Sequence, residues 1–106
     1  MRKARKLEPK AGCIECAAQI LGSKWTALIL RDLASGPKRF CEFERSLTGI
    51  SPRTLSQRLD DLEAKDIITK QSHAEVPPRS EYELTRKGHD LLPVLETMAG
   101  WGAKYS

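Results

Sequence analysis

Apolar residues recur at helical spacing through the first two-thirds of the chain and at strand spacing after it. Ile14, Ala17, Ala18 and Leu21 stand at i, i+3, i+4 and i+7, which predicts a short helix ended by Gly22-Ser23. Ser23 is then placed to cap a second helix carrying Trp25, Leu28, Ile29 and Leu33 on one face. Ser35-Gly36-Pro37 stops it, since glycine permits the turn and proline cannot continue the helix. Phe40, Phe43 and Leu47 mark a third short helix, and Thr48-Gly49-Ile50 a tight turn. Ser51-Pro52 supplies an N-cap and a first-turn proline for a fourth helix, whose buried stripe is Leu55, Leu59 and Leu62 and which ends near Lys65.

The period then changes. Ile67-Ile68-Thr69 is β-branched, and Ser80, Tyr82 and Leu84 alternate with Glu81 and Glu83, so two strands are expected. Val76-Pro77-Pro78 between them lacks ladder donors and reads as the tip of a hairpin. Thr85 is expected to cap a last helix over about 86–104, with an apolar stripe of Leu91, Leu92, Leu95, Met98, Ala99 and Gly102 followed by Tyr105. Pro93 falls early in it, either kinking it or sitting near its first turn. The expected fold class is α+β, mostly α: helices, a helix–turn–helix over about 40–65, a two-stranded wing over about 67–84 and flanking helices that dimerise.

The 106 residues are the size of one domain. The longest strongly apolar run, Ala27-Leu28-Ile29-Leu30, is far short of a membrane span, and Met1-Arg2-Lys3-Ala4-Arg5-Lys6 is not the apolar start of a signal peptide. The expected location is the cytoplasm, where three cysteines do not make a structural disulfide set. The net charge of +4 is unevenly spread. A basic arm over residues 1–12 opens the chain, and a second basic segment holds Lys38, Arg39, Arg45, Arg53 and Arg58 against Glu42 and Glu44. An acidic turn of Asp60, Asp61, Glu63 and Asp66 follows it. Two concentrations of cation suit a polyanion partner, because phosphate attraction is independent of sequence.

Helix, glycine-containing turn, helix is the unit whose second helix enters the DNA major groove. With Leu55, Leu59 and Leu62 turned inward, Arg53 and Gln57 point outward and Thr54 and Ser56 lie on the flanks. Arg53 matches guanine O6/N7 and Gln57 matches adenine. The acidic half of the helix points away from the phosphates. The hairpin after it makes a winged helix–turn–helix, with Lys70, His73 and Arg79 as wing contacts to phosphate.

Taken together, Cys13, Leu21-Gly22-Ser23-Lys24-Trp25, Leu28-Ile29-Leu30-Arg31-Asp32-Leu33 and Gly36-Pro37-Lys38-Arg39-Phe40 resemble the HxlR-type winged helix–turn–helix regulators, relatives of the MarR group. The resemblance continues through Gly49-Ile50-Ser51-Pro52, Leu55-Ser56-Gln57-Arg58-Leu59, Val76-Pro77-Pro78-Arg79, Glu81-Tyr82-Glu83-Leu84-Thr85 and Leu91-Leu92-Pro93-Val94-Leu95, over about residues 13–102. It implies a homodimer that binds double-stranded operator DNA to regulate transcription, with its recognition helix at 51–65 and dimer contacts on the first and last helices. Asp66 departs from the family, which often has Gly there. The DNA-contact set expected is Lys38, Arg39, Ser51, Arg53, Thr54, Ser56, Gln57, Arg58, Lys70, His73 and Arg79. The expected dimer set is Ile14, Ala17, Leu91, Leu95, Met98, Trp101, Gly102 and Tyr105, because an apolar stripe of that size is unusual on a small monomer.

Cys13 occupies the position of an N-terminal cysteine that senses oxidants or electrophiles in some members of the family, often through an intersubunit disulfide. Cys16 lies three residues on and Cys41 begins the third helix. Helix starts are where reactive thiols are found, so Cys13 leads as a sensor candidate, with Cys41 as a partner across a dimer. The other reading treats all three as small apolar residues. Cys13-x2-Cys16 resembles half of a zinc site, but no second pair completes four ligands, so no metal and no cofactor are expected. No phosphate loop, HExxH or GxSxG is present, and an enzyme is not expected. The competing readings are a regulator that responds to a small molecule without redox sensing, and a winged-helix protein-interaction module.

Overall fold

The computed structural model describes residues 11–73 and 79–106. Residues 1–10 of the basic arm and the proline-containing wing tip at 74–78 lie outside the described residues. The elements in chain order are α1 (Ala11–Leu21), α2 (Lys24–Leu33), β1 (Lys38–Arg39), α3 (Phe40–Ser46), α4 (Pro52–Ala64), β2 (Ile68–His73), β3 (Arg79–Leu84), α5 (Arg86–His89) and α6 (Leu92–Tyr105). This is a winged helix–turn–helix, mostly helical with a small antiparallel sheet.

Helices α2, α3 and α4 meet in a single core. Ile29, Leu30 and Leu33 come from α2, Phe43 from α3, with Leu47 just after it, and Leu55, Leu59 and Leu62 from α4. Ile67 and Ile68 at the start of the wing and Tyr82 and Leu84 from β3 close it. The inward face of α2 is rotated from the expected one. Thr26, Ile29, Leu30 and Leu33 are buried, whereas Trp25 and Leu28 are only half-buried at its margin. Both sets fit a helical stripe, and packing chose between them. Ser23 has the extended backbone of an N-cap, but its side chain makes no cap bond.

Ser51 caps α4 as expected, accepting from the backbone N–H of Thr54 at 3.0 Å, with Pro52 in the first turn. The turn before it relies on Gly49 at φ +94, a conformation that side chains with a Cβ rarely adopt. The far end of α4 closes in a Schellman motif: Ile67 N–H bonds to Leu62 C=O at 2.9 Å and Asp66 N–H to Glu63 C=O at 3.0 Å. Asp66 occupies the left-handed position of this motif, at φ 61.

Two features differ from the sequence expectation. The sheet has three strands in the order β1-β3-β2, not two, because Lys38 and Arg39 pair antiparallel with Tyr82 and Glu81. A two-residue strand is too short to show alternation and exists only through its partner. The last helix is two helices. Thr85 caps α5, accepting from Gly88 N–H at 3.0 Å, and the chain breaks at Asp90-Leu91 before α6. Pro93 in the first turn of α6 has no N–H to give the His89 carbonyl, so one continuous helix is blocked. Among the described residues, no single helix is long and apolar enough to cross a membrane.

Candidate nucleic-acid interface

The N-terminal half of α4 offers the clearest recognition surface. Arg53, Ser56 and Gln57 are exposed, and their side chains make no hydrogen bond or ion pair with a described residue. Leu55 and Leu59 behind them are fully buried, which fixes the rotation of the helix. Ser51 is committed to the cap: it accepts from Thr54 N–H and donates its own hydroxyl hydrogen to Thr54 Oγ1 at 2.9 Å. The proton of Thr54 is thereby left to donate elsewhere, so Thr54 is the better candidate contact of the two.

The remaining expected contacts are placed differently. Arg58 is half-buried, with Nε shielded from solvent without a hydrogen-bond partner and Nη1 3.9 Å from Asp61. Lys38 Nζ donates to Ser35 Oγ at 3.1 Å and to Gly36 C=O at 3.4 Å. Arg39 lies directly across the ladder from Glu81, and its backbone N–H is held by Glu42 at 2.8 Å. Lys70 shares the inward-facing side of β2 with Ile68 and sits over the Tyr82 ring, 6.0 Å from its centroid. Burial pushes the Tyr82 hydroxyl above its usual range; Lys70 pulls it back, while Asp60 and Glu63 push it further up. His73 and Arg79 pair at the open end of the wing, but their side chains lie outside the described residues.

The expected dimer surface divides. Leu91 and Leu95 pack partly against the protomer's own core, and Ala17 and Gly102 are half-buried. Ile14, Met98, Trp101 and Tyr105 remain 53%, 46%, 68% and 64% exposed, and no residue of α6 is buried. Trp101 and Tyr105 stack on each other with ring centroids 5.1 Å apart. Between α2 and α6, Arg31, Ala34, Leu92, Leu95, Glu96 and Ala99 line an apolar groove of about 180 Å³. That is below the roughly 300 Å³ at which small-molecule pockets begin.

All three cysteines are free and exposed. Cys13 and Cys16 stand on the first turns of α1. Cys41 lies in the first turn of α3, with Arg45 Nη2 3.9 Å from its sulfur. No cluster of three or more metal-ligating side chains occurs among the described residues.

Sequence and structure comparisons agree with this geometry. A family model described as HxlR-like helix-turn-helix matches residues 20–106. An uncharacterized HTH-type transcriptional regulator from Methanothermobacter thermautotrophicus is 39% identical over 92 residues, covering 87% of this chain and 70% of that protein. The redox regulator HypR in its oxidized form superposes with a TM-score of 0.84 at 34% identity, over 89% of this chain and 97% of HypR. The reduced form of the transcriptional regulator YodB from B. subtilis gives 0.79 at 36% identity, over 88% and 91%. All three are named as regulators. The chain therefore belongs to the HxlR-like helix-turn-helix family and is a transcriptional regulator of the helix-turn-helix type.

Proposed function

We propose that the protein is a homodimer that reads a palindromic DNA operator with α4. The observation that carries this reading is the exposed Arg53 and Gln57 pair on the N-terminal half of α4, left without partners among the described residues. Arg53 is assigned to guanine and Gln57 to adenine, with Thr54 and Ser56 at the flanks. Lys38, Arg39, Arg58, Lys70, His73 and Arg79 are assigned to phosphates, which position the helix without reading sequence. Lys38, Arg58 and Lys70 must first leave or share the partners described above. Dimerisation through α1 and α6 is supported by the exposed Ile14, Met98, Trp101 and Tyr105.

The experiment is a gel shift on the upstream intergenic DNA and on a random duplex. Arg53→Ala is expected to weaken operator binding by about 1–3 kcal/mol while leaving random-duplex binding little changed. Equal losses on both duplexes would contradict base reading.

Control by thiol oxidation is the regulatory part of the proposal. Its support is the likeness to HypR, described as a redox regulator, together with the exposure of Cys13 and Cys41. Cys13 of one protomer and Cys41 of its partner would each give up a proton and an electron to the oxidant as the S–S bond forms. A diamide-induced dimer on a non-reducing gel, absent in Cys13→Ser, is the expected result. The absence of any crosslinked wild-type dimer would remove this part and leave DNA binding untouched.

A further inference from the structure

The described fold leaves an exposed pair of thiols that DNA reading does not use. Cys13, Ile14, Glu15 and Cys16 are all exposed, so the first turns of α1 stand clear of the core, whereas Ile20 and Leu21 at the other end pack onto it. Cys13 and Cys16 are three apart on a helix that runs without a break from Ala11 to Leu21. Side chains at that spacing are neighbours, with Cβ atoms about 5–6 Å apart.

Two chemistries can join such a pair. A disulfide draws the Cβ atoms in to about 3.8 Å, closer than regular helical spacing leaves them. A single atom bridging two thiolates needs no such approach. With bonds to sulfur of about 2.3 Å, a bridging centre holds the two sulfurs roughly 3.5 Å apart, which side chains at this spacing can reach. The bridging centre must be soft to prefer thiolate, and it must be satisfied by two ligands, because no third metal-ligating side chain joins the pair among the described residues. Zinc, which takes four, is excluded on that count for one protomer.

We infer that Cys13 and Cys16 form a dithiol site for a thiophilic centre with two open valences, namely a monosubstituted trivalent arsenical. In the reaction both S–H bonds and the As=O bond are replaced by two As–S bonds, and one water leaves. Arsenic stays trivalent and nothing is oxidised or reduced. The site requires only α1 and its two thiols; it shares Cys13 with the disulfide proposal, so the two are alternative fates of that thiol.

The test uses the full-length reduced protein and phenylarsine oxide, followed by intact-mass measurement. One phenylarsenic group per protomer is expected, retained against a monothiol and released by a small dithiol. Retention should be roughly 100-fold better in the wild type than in Cys13→Ser or Cys16→Ser, since the second As–S bond is intramolecular. Cys41→Ser should retain the adduct unchanged. Adducts that wash out of the wild type with monothiol, or that vanish in Cys41→Ser, would overturn the assignment.

Discussion

The Thr85 hydroxyl lies 2.6 Å from the Asp66 carbonyl oxygen and 3.0 Å from that of Ile67. The same oxygen accepts from Gly88 N–H, so one side chain caps α5 and ties it to the end of α4. Lys87 Nζ adds a bond to the Lys65 carbonyl at 2.9 Å, where the carbonyl end of the α4 dipole favours a cation. A Cβ on Gly88 would run into the Ile67 carbonyl, so this approach depends on glycine. Thr85→Val removes the cap and the tie while keeping the shape. It is expected to lower unfolding stability by about 1–2 kcal/mol in urea melts, with Thr85→Ser recovering most of the loss. An unchanged midpoint in Thr85→Val would show that the tie contributes nothing.

Asp66 carries a second consequence of the same junction. Its left-handed backbone is costly for a residue with a Cβ, and its carboxylate sits at the C-terminal end of α4, where the dipole disfavours negative charge. Asp66→Gly is expected to raise stability by about 0.5–1 kcal/mol, and Asp66→Val to lower it by at least as much. A thermal melt of the two variants checks the sign; destabilisation by glycine would contradict the motif.

Tyr82 sets an alkaline limit. Its hydroxyl titrates above the usual 10.0 because burial disfavours the phenolate. The folded chain therefore keeps this proton to higher pH than the unfolded chain does. Its contribution is whole below pH 10.0 and is lost as pH rises through the folded value. Tyr82→Phe is expected to lose stability less steeply than wild type above that pH in denaturant titrations. Parallel loss in both proteins would assign the alkaline limit to other groups.

Most of the scaffold was legible because its signals are local. Ser51-Pro52 and the Leu55, Leu59, Leu62 stripe define α4 with no knowledge of the rest of the chain, and the alternation of Ser80, Tyr82 and Leu84 does the same for β3. What escaped depends on partners distant in sequence. Lys38 and Arg39 are a strand only because β3 lies beside them. The inward face of α2 could be Leu28 or Leu30 until α3 and α4 pack against it. Lys70 reads as a free wing cation, yet the register with Tyr82 places it over a buried ring. Asp66 was visible as a departure from the family's glycine, and its left-handed backbone explains why that glycine is favoured.

The central claim is that two copies of α4 read one DNA site. A hydroxyl-radical footprint on the operator tests it most directly. The prediction is two protected patches related by a dyad, with centres about 34 Å apart along the duplex, one helical turn. A single protected patch, or protection without two-fold symmetry, would contradict it.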